Sequence, residues 1–446
     1  MAEPEDAQCS VSWSSGDSPA LSFDEPFCIS ERGCDNTLRR LTASDADVDQ
    51  LDALLETVRF DANKEEWLTL LRLDSVVATG VFDARGALVG VATCSRYLEQ
   101  IGDRHFGEDD GEDDERNDFK ETFGWLGNVV VDASFRGRGV ARALLRAALE
   151  DVGAANAAWL DASDMGMPLY EKAGFEPRSR VVEWRATVRA EEDFVVGEED
   201  APRDRDTFSS RREEEDEKRE KNDAFDAFGG DVDVSSADVF GALARLDASV
   251  FGADREALLR AWLASAPAGA CSLDERAGYA LAHKRGNATY LGPWGLAEEC
   301  FVFVGARDSG ESLSDDDEKR RRKAEAFVDA AIRRAVAAAA RDARLNGEAD
   351  ARVVAYVPEP LAGFPSRGES SGTALESSVD SSVENALECT FSAGALMADA
   401  LARFGFERGD ATTRMARRDP ACGGPCAISE PGCPDRALTV ASLDLG

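Results

Sequence analysis

The sequence predicts an α/β chain (α+β in detail) made of two tandem copies of one fold, on three observations. Apolar runs of strand length alternate with segments of helical period on both sides of a charged stretch. The two patterned blocks share local signatures in the same order. One strand-to-helix junction carries a glycine-rich turn. The 446 residues suffice for two or three domains, at roughly 100–200 residues each.

Composition narrows the function classes. Lys and Arg number 51 against 87 Asp and Glu, a formal charge of −36. Such a polyanion repels phosphate backbones, so nucleic-acid binding is disfavoured. Its field weakly favours cationic small molecules or basic protein tails. No apolar run reaches the ~18–20 residues of a membrane span, and the acidic start MAEPEDAQCS is unlike a signal peptide. Ten cysteines in such a chain read as reduced thiols. A cytoplasmic protein without membrane association is the expectation.

Residues 1–36, rich in Ser, Pro and acid, read as a mobile tail. The first patterned block covers 37–190, and an acidic, charged linker covers 191–232. The second block runs over 233–418, and residues 419–446 read as a loop-like tail. Stretches 103–120, 308–322 and 364–383 look like loop insertions. The repeat is visible in Phe60-Asp61-Ala62-Asn63 and Phe251-Gly252-Ala253-Asp254, each leading into a Trp- and Leu-bearing helix. It recurs in the strand-like 88–92 and 277–281, and closes with Gly174-Phe175-Glu176 and Gly405-Phe406-Glu407.

Chemistry concentrates between Trp125 and Phe175. Leu126 to Val131 reads as a buried strand. Arg136-Gly137-Arg138-Gly139-Val140-Ala141 follows, then apolar residues at helical spacing from Ala141 to Val152. Glycines at a helix start let a ligand approach unpaired amides and the positive helix end, which suits a pyrophosphate. The third glycine of the dinucleotide fingerprint and the Gly-Lys-Ser/Thr of the Walker loop are both missing.

The segment resembles the GNAT N-acetyltransferase superfamily, whose acetyl-CoA loop reads Arg/Gln-x-x-Gly-x-Gly/Ala. Arg136, Gly139 and Ala141 fill those places, and Pro168-Leu169-Tyr170-Glu171-Lys172-Ala173-Gly174-Phe175 looks like the family's tyrosine helix. Asp161-Ala162-Ser163-Asp164-Met165-Gly166, the 290–294 run and the ending Arg414-Met415-Ala416-Arg417 are similar to tandem members with a degenerate C-terminal GNAT-like domain. The resemblance implies two mixed, splayed β-sheets flanked by helices, and acetyl-CoA as the acyl-donor substrate.

By that resemblance, main-chain groups of Val129, Val130 and Val131 face the pantetheine arm and the reacting carbonyl. Arg136, Gly137, Arg138, Gly139, Val140 and Ala141 hold the diphosphate, and Tyr170 is the general acid. The base stays open among Glu99, Asp132 and a water chain. Neither histidine, His105 or His283, is placed for catalysis. In the second block Leu401 stands where Tyr170 would, and Asp315-Asp316-Asp317-Glu318 follow the strand read at 300–304. One active and one degenerate half is the expectation, the second half completing the acceptor pocket or covering a sheet; the tandem halves could substitute for a dimer.

The Ile-Ser-Glu-x-Gly-Cys stretches ending at Cys34 and Cys433 have poor metal-ligand spacing, so no metal is expected. The functional expectation is transfer of an acetyl group from acetyl-CoA to a primary amine, on a small molecule or an amino terminus. The alternative is a non-catalytic acyl-CoA-binding regulatory or scaffold protein.

Overall fold

A computed structural model describes residues 26–28, 35–58, 64–98, 122–153, 157–190, 235–300, 315–360, 393–418 and 437–439. The first half contributes β1 (Pro26–Cys28), β2 (Asp35–Arg40), α1 (Asp45–Val58), α2 (Lys64–Leu71), β3 (Val76–Phe82), β4 (Leu88–Leu98) and β5 (Thr122–Val131). It continues with α3 (Val140–Val152), β6 (Ala157–Ala162), α4 (Met167–Lys172) and β7 (Glu176–Arg189). The second half contributes α5 (Ala237–Phe251), α6 (Glu256–Ala264), β8 (Ser272–Asp274), β9 (Gly278–Arg285) and β10 (Ala288–Leu296). After these come α7 (Asp315–Leu345), β11 (Asp350–Pro360), α8 (Ala393–Arg403), β12 (Glu407–Arg418) and β13 (Ala437–Thr439).

All of the described strands join one mixed sheet, in the order β1-β2-β3-β4-β5-β6-β12-β7-β11-β10-β9-β8, with β13 beside β10. The centre of that order interleaves the halves. β12 lies between β6 and β7, both of the first half, while β7 lies between β12 and β11, both of the second. Each half's closing strand therefore has its two neighbours in the other half.

Side-chain alternation along the strands separates two helical layers. Val91 and Val130 point with Tyr279 and Leu281 into one apolar cluster under α1, α2, α5 and α6, which also holds Leu51, Trp67, Leu243 and Trp262. Their neighbours Ala92 and Val131 face α3 through Val140 and Leu144. Farther along, Ala280 and Ala282 face α7 and α8. The α3 helix forms because Val140, Leu144, Leu145, Ala148 and Val152 make one buried face. Gly153, at φ +84°, ends it with its N–H on the Leu149 carbonyl.

Contacts between halves extend beyond the strands. Phe251 packs its ring 4.9 Å from Tyr97 and 5.7 Å from Phe123. Such pairs contribute about 0.5–1.5 kcal/mol each beyond their area. Arg285 meets Glu66 at 3.0 Å. Within the second half, buried Asp247 accepts two bonds from Arg255, both 2.8 Å, and one from the Tyr279 hydroxyl at 2.7 Å.

Several sequence expectations are corrected. The segment read as an N-terminal tail holds β1, paired Pro26 to Thr37 through Cys28 to Asp35, and the C-terminal one holds β13. Residues 315–322 of a supposed loop insertion are the opening turns of α7. The strand placed at 300–304 is displaced: Cys300 ends a 3-10 turn, residues 301–304 lie outside the described residues, and the strand of that place is β10. The linker, the 103–120 and 364–383 stretches, Glu99, His105 and both Ile-Ser-Glu segments also lie outside them. Cys94, Cys271 and Cys300 are buried free thiols, and burial pushes Cys94 and Cys271 up to about 12 and Cys300 to about 11.

Two stability outcomes follow. Asp247→Ala leaves the Arg255 guanidinium buried without its carboxylate and should cost roughly 3–5 kcal/mol in urea unfolding. His283 is stacked between Trp262 and Tyr290, and burial lowers it to about 4. Its folded value lies below the unfolded one, so the stabilisation is complete above the unfolded value, about 6.5, and falls as pH drops toward 4. Unfolding measured between pH 7 and 4 should lose on the order of 3 kcal/mol more in the wild type than in His283→Phe.

Candidate functional site

The sheet opens at one place in the first half. Parallel β5 and β6 pair only from Phe123–Ala157 to Trp125–Trp159. Beyond Trp125, β5 runs on to Val131 against β4 alone among the described residues, while β6 turns its far edge to β12. A register shift between Val91 and Thr93 marks a bulge in β5. Asn128 takes φ +51° there, and its amide donates to the Thr93 hydroxyl at 3.2 Å. The bulge re-aims the peptide groups of Val129 and Val130 relative to the regular ladder.

The turn leaving β5 is built to present amides. Asp132 caps a 3-10 turn over Ala133–Phe135, accepting from the Ser134 N–H at 2.8 Å and its hydroxyl at 2.5 Å. Those bonds hold its carboxyl below the usual range. Arg136 donates its Nε to the Val131 carbonyl at 3.2 Å, tying the turn to the strand end. Gly137 and Gly139 have φ of +73° and +87°, and a Cβ on Gly137 would meet no atom within 4 Å. The outer side of the turn is therefore open. The first-turn amides of α3 have no carbonyl four residues earlier within the helix, and the first to find one is Ala143, on Gly139 at 3.0 Å.

Tyr170 lies on α4, buried in one apolar cluster with Leu126 of β5, Leu145 of α3, Leu160 of β6, Phe175 and Met415 of β12; Val129 packs against the same cluster. Gly166 makes room for the ring, since a Cβ there would stand 2.8 Å from Tyr170 Cε2. The structure thus places Val129, Val130 and Val131 on the part of β5 beyond its pairing with β6, the 136–141 turn just after them, and Tyr170 in the cluster against which Val129 packs. Met415 and Arg414 were not anticipated at this place. Both arrive from the other half through β12, and no local motif signals that exchange.

The corresponding place in the second half differs in three ways. The α8 turn repeats the α4 turn, with Phe406 N–H on the Leu401 carbonyl and Phe175 N–H on the Tyr170 carbonyl, each 3.0 Å. Leu401 is therefore the counterpart of Tyr170 and has no hydroxyl. The helix after the cleft strand, α7, begins with four acidic residues. And β10, which pairs with β11 over Ala288–Leu291 and shifts register before Trp294, has β13 along Trp294 and Gly295. Three residues past Tyr290 comes Pro293, as Asn128 comes three past Trp125. So β13 lies where β5 carries Val129 and Val130.

Residues 44–175 match the family model described as acetyltransferase (GNAT) family, and residues 243–299 match a second, described as acetyltransferase (GNAT) domain. Each half thus contains a stretch that matches a GNAT family model. Acetyl-CoA is the acyl donor that goes with this family, and acyl transfer its chemistry. No curated protein sequence matches the chain. Among solved structures, a putative acetyltransferase from Pyrococcus horikoshii is 13% identical, covering 96% of this chain and 100% of its own, with a TM-score of 0.48. A GCN5-related N-acetyltransferase from Sphaerobacter thermophilus is 13% identical, covering 86% and 95%, with a TM-score of 0.42. An acetyltransferase from Trypanosoma brucei is 24% identical over 32% of this chain and 93% of its own, with a TM-score of 0.24.

The GNAT donor fits the residues present. Unpaired amides at a helix start and glycines with an open outer side suit its diphosphate. Among the described residues, no helix is long and apolar enough to cross a membrane.

Gly139→Val forces a branched side chain into φ +87°, at a cost of about 1–2 kcal/mol, and should weaken coenzyme A binding at least tenfold by calorimetry. Gly153→Ala, placed at φ +84° and ψ 156° at the far end of α3, where side chains other than glycine's are strained, should lose stability and leave that affinity unchanged.

Proposed function

We propose that the chain transfers an acetyl group from acetyl-CoA to a primary amine, on a small molecule or an amino terminus, and that residues 37–190 carry the reaction. The observation that supports this reading is the parting of β5 and β6 beyond Trp125, on a strand that leads into the 136–141 turn and whose Val129 packs against the cluster holding Tyr170.

In this reading the amides of Arg138 to Ala141 bind the diphosphate, aided by the positive end of α3. Main-chain groups of Val129 to Val131 align the pantetheine arm. The neutral amine attacks the thioester carbonyl directly. The C–N bond forms as charge gathers on the carbonyl oxygen, which accepts an N–H from the bulged Val129–Val130 stretch. One such donor contributes about 2.7–4 kcal/mol in acyl-transfer sites. The C–S bond then breaks, and the Tyr170 hydroxyl gives its proton to the sulfur. The amine's surplus proton leaves to solvent, and Tyr170 is reprotonated from it.

The second half, residues 233–418, is proposed to be degenerate. Leu401 cannot donate a proton, the acidic start of α7 repels diphosphate, and β13 runs along the β10 residues that correspond to Val129 and Val130.

Tyr170→Phe should lower kcat for acetylation of an amine panel by roughly 10²–10⁴-fold, followed by thiol release, with the coenzyme A dissociation constant within a factor of two. Calorimetric titration of the full chain should give one coenzyme A per chain; two sites of similar affinity would contradict a degenerate second half.

A further inference from the structure

β6 carries a buried carboxylate, Asp161, whose side chain is wholly shielded from water. Its partner comes from the other half. Arg414 of β12 stands opposite Asp161 in the register and donates Nε and a terminal nitrogen to its two oxygens at 2.9 and 3.0 Å. The same guanidinium lies 4.7 Å from the centre of the Trp125 ring on β5. Trp125 in turn stacks on Trp159 of β6, with ring centres 6.3 Å apart and planes within 14°. Trp125–Trp159 is the last bridge before the two strands part. One cation thus grips both walls at the vertex of the opening, β6 by a two-point ion pair and β5 by its ring face.

Among the described residues, the second half has no counterpart. Tyr290 stands for Trp125 and pairs with Val354. Two residues on, Tyr356 takes the place of Asp161 and faces Glu183 of β7 across the sheet. Rings at 5.8 Å, Tyr290 and Tyr356, replace the cation and carboxylate. Among the described residues, the grip occurs in the half whose cleft strand carries no added strand.

We infer that Arg414 is a positioning residue for the first half's donor cleft: it fixes the angle at which β5 and β6 diverge, and so the width of the slot for the thioester arm. The second half thereby acts on the first half's site through one side chain. The inference rests on the coenzyme A reading of that cleft.

Arg414→Lys tests it, because a lysine keeps the charge beside Asp161 and loses the planar fork and the ring contact. The variant should bind coenzyme A at least fivefold more weakly by calorimetry and raise KM for acetyl-CoA to match. Its kcat at saturating donor should stay within twofold, and KM for the amine should not move. Amide hydrogen exchange should quicken at residues 122–131 and 157–162 and stay unchanged in β9 and β10. Trp125→Phe leaves the ion pair in place and should show the same changes at smaller size. It decides the matter if the lysine variant does not fold. Wild-type affinity and exchange in a folded variant would overturn the inference. If the wild type itself bound no coenzyme A, the functional reading would fall, and the exchange comparison would still uphold or overturn the grip.

Discussion

A backbone amide or carbonyl inside a sheet needs a partner, and the architecture turns on where β5 loses one. After Trp125 the strand keeps β4 on one side and, among the described residues, has no strand on the other. In the proposed reading, a ligand that supplies its own amides pairs with those main-chain groups. The bulge at Asn128, the cap by Asp132 and the Arg136–Val131 bond each hold this stretch and its outgoing turn in shape. In the second half the same requirement is met from within the polypeptide, by β13. One chain therefore shows two solutions to one hydrogen-bonding problem.

The interleaving of β12 and β7 changes what the halves are to one another. Met415 helps to bury Tyr170, Phe251 covers Tyr97 and Phe123, and α1, α2, α5 and α6 share one apolar layer. Residues that shape the first half's site are thus encoded more than two hundred positions away, as Arg414 with Asp161 illustrates.

Much of the first half was legible because its signals are local. The β-branched run at 126–131, the 136–141 turn, the apolar face of α3 and the Gly-Phe closure at 174–175 each specify a conformation within about a dozen residues, and each is found as read. The alignment of Leu401 with Tyr170 held for the same reason, since both sit five residues before a phenylalanine whose amide closes on them. The rest depended on pairing across the chain. Nothing in Glu407–Arg418 distinguishes a strand that joins its own half from one that joins the other, because edge and centre use the same alternation. The second half's cleft strand was misplaced to 300–304 because that run is as apolar and β-branched as 288–296, and hydrophobic period alone does not rank two such candidates. Short β1 and β13 sit amid Pro, Gly and Ser and offer too few residues for a period to register.

The interleaved strands also bear on how the molecule is made. During synthesis the first half's sheet stays unfinished, with β6 presenting an open edge, until Glu407–Arg418 has emerged. An unpaired edge invites pairing with another chain in the meantime. β7 waits likewise, because both of its neighbours come later in the sequence. The chain through Arg418 must therefore emerge before β6 and β7 each have both neighbours, and completion of the first module's sheet is timed by the second.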